Sequence, residues 1–251
     1  MQLRIDKEER NAGSGGGGGG APATDDIQGV ADLINAIPTP ATVKDADAVK
    51  AARDAYDKLS AEQKADPKLS DALIQKLKDA EEAVKSAQDQ TAASNVSEEI
   101  AAIPDDLSKA TSDQVSGAVE AYNRLTDDQK KLITADELEK LQVALNYPAT
   151  KLKVNLKSVK AKKGKKAVVK WRANTSANAY QLYYKAKGVK AKKVIIDDPA
   201  TMTKTIKKLK AGKKYSFKIR TITKVENLSE PGTSINVYGK WSKTKKATAK
   251  K

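Results

Sequence analysis

The chain contains no cysteine and no histidine in 251 residues, and only one phenylalanine. Without cysteine there is no disulfide, thiolate nucleophile or thiolate metal site, and without histidine the usual general base and imidazole ligand are missing too. Most hydrolytic and redox chemistry is thereby disfavoured, and no catalytic, cofactor-binding or metal site is expected. The adjacent carboxylates Asp127 and Asp128 read as a solvated, dipole-compensating face at a helix start. Lack of disulfides suits cytosol and many bacterial surfaces alike, so it leaves the compartment open. No run approaches the roughly 20 apolar residues that cross a bilayer. The first residues carry Arg4, Asp6, Lys7, Glu8, Glu9 and Arg10 where a secretory signal would have an apolar stretch. The expectation is a native start at Met1, with any secretion signal lying outside this chain or unused.

What remains is polar and modular. The composition is too polar for one large core at this length, so several small modules are expected. Residues 1–12 form an attachment or disordered peptide in which Leu3 and Ile5 stand at strand spacing and could join a sheet edge of a larger assembly. Residues 13–24 include six consecutive glycines, Gly15 to Gly20, and act as a flexible tether.

From Asp26 the periodicity is helical and it repeats. Ile34-Asn-Ala-Ile37-Pro38 recurs as Ile100-Ala-Ala-Ile103-Pro104, and the block from Ala55 to Lys64 recurs from Ala121 to Lys130, both at an offset of 66 residues. Duplication is the simplest explanation, giving helical repeats over 25–90 and 91–147. In each copy a first helix ends before the proline, since the residue preceding proline is pushed out of the α region. Val49, Ala52, Tyr56 and Leu59, matched by Val115, Ala118, Tyr122 and Leu125, line one face of a second helix. Ser60 with Gln63, and Thr126 with Gln129, have capping-box spacing and start a further helix. Leu69, Leu73, Leu77, Ala80 and Val84 in one copy, and Leu138, Leu141 and Leu145 in the other, supply the closing helix. Over roughly residues 26–146 this succession resembles the small three-helix repeats found between domains of large bacterial surface and secreted proteins. The resemblance implies spacers or binding modules and brings no catalytic residue with it.

Tyr147-Pro148 marks the expected boundary, and there the charge inverts. Residues 21–148 hold 14 Lys and Arg against 25 Asp and Glu, a net of −11, whereas residues 149–251 hold 30 against four, a net of +26. The basic part, 148–251, alternates as strands do. Leu152, Val154 and Leu156 alternate with lysines, Lys163-Gly164-Lys165 makes a turn, and Ala167, Val169 and Trp171 share one face. Tyr180, Leu182 and Tyr184 follow, then the apolar run Val194 to Ile196, then Tyr215, Phe217 and Ile219. Short strands with turn signals favour an antiparallel β-sandwich. Val169-Lys-Trp171, Tyr180-Gln-Leu182-Tyr-Tyr184 and Leu209-Lys-Ala-Gly-Lys-Lys-Tyr215 together resemble a fibronectin type III domain. The last of these matches its tyrosine corner, which implies a ring packed inward and a hydroxyl bonded to upstream backbone. Tyr238-Gly-Lys-Trp241-Ser-Lys is similar to the final strand of the lysine-rich versions attached to bacterial surface proteins. No Arg-Gly-Asp occurs, so integrin-type adhesion has no support.

The fold expected is therefore multidomain, α then β: two tandem small helical bundles followed by an immunoglobulin-like (fibronectin type III) β-sandwich, with separate cores joined in series. Trp171 belongs to the core by its alternation with Val169. Candidate surface-binding residues are Tyr183, Trp241, Lys185, Lys240 and Lys243. Tyr183 points away from its buried neighbours, so its ring either stacks on a sugar or base or packs beneath lysine stems. A strongly basic module attracts polyanions by summed potential. Arginine, the better reader of bases and phosphates, is confined in this half to Arg172 and Arg220, which argues against sequence-specific nucleic-acid binding. The partners expected are an anionic cell-envelope polymer, a carbohydrate or an anionic membrane face, with docking on the chain's own acidic helices a further option. Two settings fit: a noncatalytic, surface-displayed adhesion or spacer protein outside a bacterial cell, or a phage virion structural or decoration protein attached through Met1 to Asn11 and displaying these modules for host adherence.

Overall fold

The computed structural model describes residues 24–251; the expected attachment peptide and nearly all of the glycine tether lie outside the described residues. The chain forms two compact units that part between Asp89 and Gln90.

The first unit contains α1 (Thr24–Ala36), α2 (Ala46–Asp57), the single turn α3 (Ala61–Lys64) and α4 (Asp71–Ala101) as far as Asp89. Helix α1 stops just before Pro38, as the proline rule requires. The Ser60 hydroxyl accepts from the Gln63 amide, and the Gln63 side chain accepts from the Ser60 amide at 2.8 Å, so the predicted box starts α3. Ile34, Ala52 and Leu77 are fully enclosed at the centre of the core. Across its edge Arg53 lays a two-bonded fork on Glu81, at 2.5 and 2.7 Å.

The second unit begins with the remainder of α4 and adds α5 (Ser112–Arg124), α6 (Asp127–Lys130) and α7 (Ala135–Lys151). Matched segments make matched contacts. Thr126 and Gln129 repeat the capping box, and Lys140 bonds the Ala101 carbonyl at 3.2 Å as Lys76 bonds that of Asn35 at 2.9 Å. Helix α4 runs through residues 90 and 91 without interruption, because no glycine or proline occurs between Asp71 and Pro104 to stop it. One expected helix end needs correction. Helix α7 continues through Pro148 to Lys151 instead of ending at Tyr147. Pro148 lies on its exposed side, and burial of Ala149 one residue on holds the last turn.

Eight strands follow: β1 (Leu156–Lys162), β2 (Lys166–Trp171), β3 (Ala179–Ala186), β4 (Val189–Ile196), β5 (Thr203–Ile206), β6 (Lys214–Glu226), β7 (Ser234–Tyr238) and β8 (Lys245–Thr248). They form two antiparallel sheets, β1-β2-β5 and β4-β3-β6-β7, with β8 pairing the first part of β6 and β7 its last part. Eight of the eleven aromatic residues fall in this region, so a chain poor in aromatics still builds an aromatic core. Trp171 meets Tyr180 edge-on at 5.6 Å, and Tyr184 stacks on Phe217 at the same distance. The Tyr215 hydroxyl accepts from the Lys210 amide at 3.0 Å, which is the expected tyrosine corner. Between β7 and β8 the chain leaves the ladder at Gly239, whose Cα lies so close to the Leu152 carbonyl that a Cβ would sit 2.6 Å from that oxygen.

The helical and sandwich cores of the second unit are distinct clusters, but the strand region contributes one residue to the helical one. Leu228, in the turn between β6 and β7, is 2 % exposed and belongs to the helical cluster of Ile100, Tyr122 and Leu141, not to the sandwich core. Around it the Tyr122 hydroxyl donates to the Leu228 carbonyl at 3.2 Å. The Gln142 amide group both donates to the Glu226 carbonyl at 3.0 Å and accepts from the Leu228 N–H at 2.9 Å, as a neighbouring strand would. Leu228→Ala should therefore cost about 2–4 kcal/mol in denaturant unfolding. Protection of amides in α5 and α7 against hydrogen exchange should fall with it, and a loss confined to the strands would contradict this junction.

Candidate functional site

The inner face of the larger sheet is set by Tyr180, Leu182 and Tyr184 on β3 and by Tyr215, Phe217 and Ile219 on β6, all buried. Strand alternation then places Gln181, Tyr183 and Lys185 on the outer face, beside Ser216, Lys218 and Arg220. Register pairs them directly: Tyr183 with Lys218, Gln181 with Arg220, and Lys185 with Ser216. Ser216 is in turn paired with Lys246 on β8.

In the middle of this face, cations and rings interleave. The Lys218 ammonium lies 5.0 Å from the centre of the Tyr183 ring and 4.3 Å from that of Trp241, and the two rings are 5.9 Å apart. The Arg220 guanidinium lies 4.4 Å from Trp241 and 4.1 Å from Tyr238. Two of its nitrogens donate to the Gln181 side-chain oxygen, at 3.0 and 2.8 Å. Partial burial lowers the Arg220 pKa from its ordinary value, while the neighbouring Tyr238 acts in the opposite direction. The Tyr183 ring thus lies beside an ammonium of its own chain.

The sequence-predicted site residues thus separate. Tyr183 and Trp241 are brought together in the ladder. Lys185 stands at one end of the face, where a hollow of about 410 Å³ is lined by Lys185, Lys187, Lys214, Ser216 and Lys246. Lys243 and Trp241 border a different groove along the sheet edge, beside Lys153 and Asn155. Lys240 is exposed near the helices, its backbone N–H donating to the Leu152 carbonyl at 2.8 Å. Sequence reasoning did not single out Lys218, Arg220, Gln181 and Tyr238. Alternation along β6 could have put the first two on the outer face, but which side chains they meet depends on strand register.

No protein-family profile and no curated protein matches the chain. Similar solved structures include the FN1–FN3 domains of chicken CNTN1, 21% identical over 40% of this chain and 32% of that one, with a TM-score of 0.33. The fn3 domain of human contactin 1 is 19% identical over 38% of this chain and 73% of that one, at a TM-score of 0.29. The FN5 domain of Drosophila Lar is 14% identical over 39% and 96%, at 0.30. These structural neighbours are fibronectin type III domains. The match covers about a third of the chicken chain's length.

Arg220→Ala removes the donor to the buried Gln181 and the cation over two rings. It should cost about 2 kcal/mol in urea unfolding and shift tryptophan emission to longer wavelength. Lys185→Ala, on the same face but outside the ladder, should stay within about 0.5 kcal/mol of the unaltered protein.

Proposed function

We propose that the chain is a noncatalytic modular binding protein in which duplicated three-helix repeats act as spacers for a basic, fibronectin-like sandwich that engages an anionic polymer or carbohydrate surface on a bacterial cell. The observation that carries this reading is the unneutralised charge of the sandwich. Among the described residues every ion pair lies in the helices and their connections up to Lys140, and no lysine or arginine after Lys151 takes part in one. Three of the four acids in that region are engaged locally: Asp198 accepts from Ala200 and Thr201, Glu226 accepts from Asn123 of α5, and Glu230 accepts from the Asn227 side chain. A net of +26 is thus left to act as a field on whatever approaches.

Nothing in this reading depends on how the chain is anchored. Because the contacts are those of charge with charge, binding should be weakened by salt through screening and counterion release. Co-sedimentation with isolated bacterial cell walls should show the half-binding concentration rising tenfold or more from 50 to 300 mM salt, on the order expected for several charge contacts. With no histidine in the chain, the protein contributes little pH dependence between about pH 5.5 and 8. Salt-insensitive sedimentation, or none, would remove the proposal.

A further inference from the structure

The charge of the sandwich is not spread evenly along its strands. Asp197 and Asp198 follow β4 at Ile196, which pairs with Tyr180 near the start of β3; Glu226 closes β6 and Glu230 lies in the turn after it. All four acids are therefore at the end of the sandwich that meets the helices through Leu228 and Leu152. The opposite end gathers the β1–β2 turn, the β3–β4 turn, the loop before β6 and the close of β8. Bonds from Leu209 to Lys165, from Lys165 to Lys250 and from Ala249 to Lys213 tie the β1–β2 turn, the loop before β6 and the close of β8 together. That end is built of lysine with no aspartate or glutamate.

The hollow belongs to it. Lys185, Ser216 and Lys246 form one row across three strands, and the two lysines flank the short serine with their Cα atoms about 10 Å apart. The Ser216 hydroxyl donates to the Lys185 carbonyl at 3.3 Å, so the floor is low and fixed, and Lys187 and Lys214 complete the rim. A second, independent observation concerns the backbone. Lys165 and Lys208 have φ of 56° and 60°, where glycine or asparagine is accommodated with less strain. Lysine at both places adds charge to this end at the expense of backbone comfort.

Resting on the reading above, we infer that this far end, centred on the Lys185–Ser216–Lys246 hollow, is the binding site, and that its ligand is a linear phosphodiester or polyphosphate polymer recognised through its phosphates alone. Ammonium groups act as point charges and lack the planar arginine fork that matches carboxylate and phosphate alike, so selection here is by charge density, and a chain of phosphates carries more charge per length than a uronate polysaccharide. Bases are not read, because the aromatic residues of this sheet face already pack on Lys218 and Arg220.

The test uses the full chain and long-chain inorganic polyphosphate, with two exposed sets of four Lys→Gln changes that alter net charge equally. One set is Lys185, Lys187, Lys214 and Lys246; the other, near the helices, is Lys153, Lys170, Lys224 and Lys240. The first set should lose at least tenfold more affinity than the second, and its slope of log K against log salt should be shallower by about 3. Lys165→Gly with Lys208→Gly should bind more weakly while melting no lower than the unaltered chain. Equal losses from the two sets of four overturn the location, as does unchanged binding by both the first set and the glycine variant. Hyaluronate binding as tightly as polyphosphate, or oligo-dT of equal charge binding tenfold tighter, overturns the ligand class. Self-association without polymer at low salt, abolished by the first set alone, would assign this end to the acidic helices of another copy instead. If the unaltered chain binds cell walls but not polyphosphate, this inference fails and the broader reading stands; if it binds neither, both fail.

Discussion

Leu228 leaves the sandwich in a tight turn and is buried among helices, and the arrangement of the second unit depends on that one insertion. Full burial of a leucine is worth about 1.5–3 kcal/mol, and each of the three hydrogen bonds from Tyr122 and Gln142 adds about 0.5–1.5 kcal/mol. A few kilocalories is a large share of the marginal stability of a domain. The side chains that grip the turn are a phenol and a carboxamide, with a second amide, Asn123, reaching Glu226 at 3.4 Å. Attraction between the acidic and basic parts of the chain does not build this junction. It is made of apolar surface and neutral hydrogen-bonding groups, and so should persist in salt that screens the rest.

That junction decides which end of the sandwich stays open. Helices α5 and α7 pack against the β6–β7 turn, at the end of the sandwich opposite the lysine-rich turns. The lysines along the edge strand β4, Lys190, Lys192 and Lys193, are all exposed and have a simpler role in keeping that edge from pairing with other chains. Charge serves two purposes on one module, and position distinguishes them.

The helical segments show how matched sequences diverge when one of them gains a neighbour. Arg53 and Glu81 close the side of the first helical core with an ion pair. At the place corresponding to Arg53, 66 residues on, the second has Val119, which belongs to the cluster that receives Leu228. The charged version finishes a surface exposed to water; the apolar version needs a partner to cover it, and the β6–β7 turn is that partner.

Much of this was legible in the amino-acid order, because the features concerned are local. Capping boxes at Ser60 and Thr126, the helix end before Pro38, the alternation that buries Trp171 and the corner at Tyr215 each depend on residues a few places apart, and one repeating pattern suffices to predict them. The inversion of charge near residue 148 is likewise visible by counting. Other features depend on which distant residues meet. Nothing local marks Leu228 as a core residue of the helices, since a lone leucine between Asn227 and Ser229 reads as an exposed turn. The cations over Tyr183, Trp241 and Tyr238 follow from strand register across β3, β6 and the β7–β8 break. Sequence by itself determined the elements, their buried faces and the sign of each half. Tertiary structure alone decided that a residue of the strand region would complete the helical core and that the lysines would gather at one end, because both depend on contacts between segments far apart in the chain.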